Sequence, residues 1–140
     1  MAKFIIDDPV VTIDGDDHSD HIRSATIEAS FAEVDLTAFG QDFSEVGLGV
    51  GTATITLEAY QDFASNELDQ NMWPIFINKS IVEVTVKPTA AVVSATNPEY
   101  SLPAARLSTY TPFGGAKGDA SMTTLTFSNA GQLGLVRAFT

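Results

Sequence analysis

Residues 14–21 read DGDDHSDH, four aspartates and both of the chain's histidines within eight positions. Carboxylates and imidazoles hold cations and move protons near neutral pH, so calcium binding, transition-metal binding and acid–base catalysis are the chemistries to test. An EF-hand calcium loop needs oxygen ligands at alternating positions, glycine at the sixth and glutamate at the twelfth, between two helices. Counting from Asp14, Asp16 fits, but position five is His18, position six is Ser19 and position twelve is Ala25. Histidines at i and i+3 with neighbouring aspartates suit a transition ion, yet nothing in a loop pre-orders them. The segment is therefore expected to be a turn: Asp14-Gly15 makes the reversal, and Ser19 or Asp20 accepts local backbone N–H groups. No metal site is assigned.

Catalysis finds little to work with. His18 and His21 are the only histidines, so a histidine-based triad would have to be built on this turn. Glu28 and Glu58 could form a carboxylate pair, but such residues on the polar face of a strand are ordinarily solvated. GLGVG (47–51) precedes a strand pattern where a dinucleotide fingerprint requires a helix. GGAKGD (114–119) lacks the P-loop spacing and the hydroxyl residue after lysine. No catalytic residue and no cofactor is expected, and the chain is not read as an enzyme.

The surrounding pattern has period two. PVVTI (9–13) is a β-branched strand. From 22 to 31, Ala25, Ile27, Ala29 and Phe31 alternate with Ser24, Thr26, Glu28 and Ser30; AEVDLTAF then extends the strand or forms a hairpin arm. GQDFSEVGLGVG (40–51), with four glycines and no stable period, is expected to be a mobile loop. In 52–60, Ala53, Ile55, Leu57 and Ala59 oppose Thr52, Thr54, Thr56 and Glu58. A short helix follows, capped by Ser65 or Asn66, with Glu67 and Asp69 in its first turn, Leu68 and Met72 on its apolar stripe, and Pro74 ending or kinking it. Further strands are expected at 80–88, at 101–113 (an edge, because of Pro103), at 121–128 and at the C-terminus. The expected architecture is a mainly antiparallel β-sandwich or barrel with one flanking helix, formed by residues 1–140 as a single domain.

Composition narrows the function. Eighteen acidic against seven basic residues give a net charge of −11, which argues against a basic nucleic-acid footprint. Residues 1–69 hold fifteen acids and only Lys3 and Arg23 as bases; residues 70–140 hold three acids and five bases. Such an asymmetry suits head-to-tail contact between copies. There is no cysteine, hence no disulfide or thiolate site. No apolar run approaches the roughly 18 residues of a membrane span, and MAKFIIDDPVV does not resemble a secretory leader. The expectation is a protein made and used without export, with no membrane partner.

Three strands carry hydroxyl stripes: Ser24/Thr26/Ser30, Thr52/Thr54/Thr56 and Thr124/Thr126/Ser128, to which Glu28 and Glu58 add two carboxylates. No lysine or arginine interrupts them. Such a face is hydrated and weakly anionic, and gives a passing polyanion no cationic partner.

The order PVVTIDGDDHSDHIRSATIEASFAEVDLTAFG, GTATITLEAYQDF, MWPIF, TNPEYS and YTPFGGAKGDASMTTLTFSNAG resembles the tail tube (major tail) proteins of long-tailed bacteriophages, notably those of actinobacterial hosts. INKS (77–80) departs from the pattern, where a glycine-rich turn is expected. The resemblance implies a β-sandwich with a flanking helix, hexameric rings whose inner sheets merge into one barrel, and head-to-tail stacking through loops and termini. It also implies other tail proteins as partners, viral DNA as transient cargo, assembly in the host cytoplasm and residence in the virion tail. On this reading Thr26, Glu28, Thr54, Thr56, Glu58, Thr124 and Thr126 face the lumen. Phe4, Ile5, Ile6, Phe43, Val46, Leu48 and Val50 serve ring stacking. Two other classes fit the composition: another virion β-protein, such as a capsid decoration or tail-completion protein, and a carbohydrate- or calcium-binding sandwich using Trp73 and the tyrosines.

Overall fold

The computed structural model describes residues 3–138. Its elements run β1 (Val10–Ile13), β2 (Asp16–Asp17), β3 (Ile22–Asp35), β4 (Val46–Tyr60), α1 (Leu68–Ile77), β5 (Ile81–Lys87), β6 (Glu99–Tyr110), β7 (Met122–Asn129) and β8 (Val136–Ala138). The strands hydrogen-bond in the order β2-β1-β5-β6-β7-β4-β3, with β8 beside the start of β6. Every pairing is antiparallel. The expected class, mainly antiparallel β with one short helix, is the observed one. The C-terminal edge strand is described as far as Ala138.

The sheet folds over one core. Val11 and Ile13 of β1, Val82 and Val84 of β5, Ile55 and Leu57 of β4, and Leu125 and Phe127 of β7 belong to a single buried cluster, closed by Leu68, Met72 and Ile75 of α1. Strand β6 serves both limbs. Residues 100–106 pair with β5, and residues 105–110 pair with β7. The β5–β6 register shifts between Val82↔Ala105 and Val84↔Leu102, the stretch that contains Pro103. The expectation that proline marks an edge is therefore corrected: β6 is interior, and Pro103 sits at a bulge, where its missing N–H costs no ladder bond.

The glycine-rich segment is the larger correction. Residues 46–51 are strand, paired with Phe31–Asp35 into a two-stranded arm beyond the core. A Cβ on Gly51 would lie 2.8 Å from the Phe31 ring, and one on Gly47 2.8 Å from Leu36 Cδ1. These glycines admit large β3 side chains laid flat across the β4 backbone, an arrangement that supports glycine in strands. The loop shrinks to residues 36–45.

At the helix, Glu67 rather than Ser65 or Asn66 is the N-cap, and it makes no side-chain cap bond. Asn66 instead takes a left-handed backbone (φ 62°), and its carbonyl accepts from Asn71 Nδ2 at 3.0 Å. Pro74 lies inside the helix, which continues to Ile77. The expected glycine turn after the helix is replaced by Lys79 at φ 54°.

Phe127 is fully buried between the two limbs. Replacing it with alanine should cost about 3–5 kcal/mol of folding stability, read as a lowered urea midpoint with an unchanged slope.

Candidate functional site

Because β3, β4, β7 and the second half of β6 are in register, their outward residues fall into rows. One row runs Thr26–Thr56–Thr126–Thr109, the next Glu28–Thr54–Ser128–Arg106, and another Ser24–Glu58–Thr124. Hydroxyls bond across strands: Ser30 Oγ lies 3.1 Å from Thr52 Oγ1, and Ser108 Oγ lies 3.1 Å from Ser128 Oγ. Thr26, Glu28 and Glu58 are exposed, and Thr54, Thr56, Thr124 and Thr126 are half-buried within the hydroxyl surface. None of the seven points into the core. The intervening Ala53, Ile55, Leu57, Leu125 and Phe127 do.

The face is not free of cations. Arg106 joins the Glu28 row from β6, which corrects the impression given by the three stripes alone. It was missed because Pro103 obscured the strand that carries it.

The far side of β3 has no strand partner among the described residues, leaving an open edge from Ile22 to Asp35. Alternate N–H and C=O groups along such an edge are unpaired and template another strand.

The arm is apolar on both faces. Val50 continues the outward side of β4, but the register shift leaves an extra residue on β4 between Gly51 and Leu48, so Leu48 and Val46 pair with Glu33 and Asp35 on the opposite face. Val46, Leu48 and Val50 are exposed by 52, 68 and 82%. Phe31 covers Gly51 on one face, Val34 and Leu36 cover Gly49 and Gly47 on the other, all three are also exposed, and Phe39 and Phe43 project from the tip. Of these, sequence reasoning named Phe43, Val46, Leu48 and Val50 and missed Phe31, Val34, Leu36 and Phe39. The missed signal is a period-two run interrupted by a bulge between Phe31 and Glu33. Phe4, Ile5 and Ile6 are exposed as well, with Phe4 and Ile6 at the rim of a groove of about 510 Å³ that also takes Val11, Ile27 and Val86.

The acidic turn is built as expected at its tip. Asp14 and Gly15, at φ 53° and 84°, form the two-residue connection between β1 and β2. Ser19 Oγ accepts from Val11 N at 2.9 Å. The local acid is Asp17, which accepts from Ser19 N at 2.9 Å, and not Asp20.

Trp73 is half-exposed beside Phe76, with ring centroids 6.2 Å apart. Tyr110 is buried and donates to Asp69 at 2.6 Å; burial, aided by this bond, pushes its hydroxyl well above the ordinary range. Glu28 and Glu58 are separated by the intervening Thr26/Thr56 row and do not pair.

No family model matches the sequence, and no curated protein does. Solved structures do. The chain is similar to one in the virion of the native gene transfer agent particle, with 19% identity, TM-score 0.71 and 95% of each chain covered. It is similar to one in the tail of the empty gene transfer agent particle, refined with C6 symmetry (18%, TM-score 0.64, 86% and 82% covered). It is also similar to the SPP1 tail tube protein (8%, TM-score 0.66, 86% and 66% covered). At these identities the likeness establishes a shared tail-tube-like fold.

Since the chain has no cysteine, Thr56→Cys and Leu57→Cys report the two faces of β4 directly. In the isolated subunit a thiol at 56 should label at least tenfold faster than one at 57, which protein breathing must first expose.

Proposed function

We propose that this chain is a tail tube subunit of a long-tailed phage of the actinobacterial-host type, a single unit over residues 1–140. It closes into a six-membered ring and stacks head to tail. The observation that carries the reading is a four-stranded hydroxyl face ending at an open strand edge. Joining the β3 edge of one copy to the free stretch of β6 in the next, beyond Arg106, extends that face into a closed barrel and removes the edge. Its bore is lined by Thr26, Thr54, Thr56, Thr124 and Thr126, with Glu28 and Glu58 facing a single Arg106 per copy. Phosphates then meet water and a weak net negative charge, so DNA passes as cargo and is not held.

The arm supplies the stacking contact, through Val46, Leu48, Val50 and Phe43, with Phe4, Ile5 and Ile6 contributing at the base. The subunit is assembled in the host cytoplasm, resides in the virion tail with other tail proteins, and carries out no reaction. The neighbouring folds from virion, tail and tail tube support this reading over a capsid decoration or tail-completion role.

Electron microscopy of the purified protein tests it: rings or tubes of six-fold symmetry are expected. Persistent monomers, together with absence of the chain from virion tails, would refute it. Val50→Asp or Leu48→Asp should abolish tube growth while changing subunit stability by less than about 0.5 kcal/mol, since both sites are solvent-facing in the monomer. Glu58→Lys tubes should retain double-stranded DNA at low salt and release it as salt rises, whereas unmodified tubes retain none.

A further inference from the structure

The fold brings to His21 two acids far from it in sequence. Tyr60 N donates to His21 O at 2.8 Å, locking the start of β3 beside the end of β4. His21 Nε2 then lies 3.0 Å from Asp62 Oδ2 and 3.5 Å from Glu67 Oε2. The ligand atoms of these three residues all lie within 4.8 Å of one another. Two ligands held at about 2.0–2.1 Å by a tetrahedral ion are about 3.3 Å apart, so the observed separations bracket what such an ion requires.

The supporting shell is also present. Asp62 uses its other oxygen, Oδ1, to accept from Ala64 N at 2.9 Å, which fixes the carboxylate. Asp20 Oδ1 lies 3.0 Å from His21 Nδ1 but out of line for a hydrogen bond, and the ring's hydrogen bond runs from Nε2 to Asp62. An ion at Nε2 would displace that proton and leave the remaining one on Nδ1, beside Asp20. A carboxylate behind a ligating imidazole is the usual means of fixing its tautomer.

An independent observation comes from His18. It lines one depression with His21 and Glu67, beside Asp16, Asp17 and Asp20, is only 5% exposed, and its Nε2 has no hydrogen-bond partner. An unpartnered ring nitrogen on a residue lining this depression is the partner that a metal-bound water needs. The helix N-terminus behind Glu67 opposes a cation with about half a charge, far less than the surrounding carboxylates supply.

We propose that His21, Asp62 and Glu67 form a binding site for a divalent transition ion of the zinc type, with Asp20 positioning His21 and His18 hydrogen-bonding a water on the ion. One imidazole with two carboxylates favours such an ion over calcium, which takes six to eight oxygens. The site ties the turn before β3, the segment after β4 and the start of α1 together. It depends only on this geometry and not on the tube reading.

The test is zinc titration of the full chain, followed by calorimetry and thermal melting, with magnesium and calcium as comparisons. One zinc per chain is expected, raising the melting temperature where magnesium and calcium do not. His21→Gln and Glu67→Gln should each weaken binding at least tenfold; Asp20→Asn should weaken it about 10–100-fold with unchanged stoichiometry. Glu67→Gln changes a partly exposed side chain at the helix start, so its metal-free melt verifies folding. No saturable binding, or binding unaltered in folded Glu67→Gln and His21→Gln, would overturn the proposal.

Discussion

Successive side chains of a strand point to opposite faces, and β4 turns this constraint into the organisation of the whole subunit. Burying Ala53, Ile55, Leu57 and Ala59 obliges Thr52, Thr54, Thr56 and Glu58 to face outward. Because β4 is paired on both sides, its parity propagates in register to β3 and β7, and through β7 to β6. A slip of one residue would drive the threonines into the core and the leucines into water, so the face and the core are one decision. In the arm a bulge on β4 breaks this parity, and Val50 falls on one face with Leu48 and Val46 on the other, where no core remains to oppose either.

An arm with apolar side chains on both faces is costly for a lone subunit and useful for a polymer. Each large side chain contributes about 1.5–3 kcal/mol when fully removed from water. Several such side chains in one copy offer a contact surface that needs no strong polar bond. The open β3 edge adds main-chain hydrogen bonds that a neighbour can complete. The single chain thus presents two unsatisfied surfaces, one apolar and one of backbone groups.

The strands whose alternation is uninterrupted were legible without coordinates: 52–60, 80–88 and 121–128 stand where periodicity put them. Errors came where one residue type has two physical uses. Gly47, Gly49 and Gly51 look like a flexible loop, yet their own period of two records close approach by Phe31, Val34 and Leu36. Pro103 looks like an edge, yet a bulge accommodates it within an interior strand. Ser65 and Asn66 look like helix caps, but Asn66 adopts a left-handed turn and the helix begins later.

By itself the sequence determined which residues share a face along the uninterrupted strands at 52–60, 80–88 and 121–128, since that parity is local and needs only the pleat. It also settled the acidic balance and the absence of cysteine chemistry. Tertiary structure alone decided what lies beside what. Arg106 reaches the threonine face through pairing of β6 with β7, and Asp62 and Glu67 reach His21 across intervals of 41 and 46 residues. The reason is physical: alternation is written in neighbouring residues, whereas a cluster is created by chain closure, which leaves no mark on the spacing of its members.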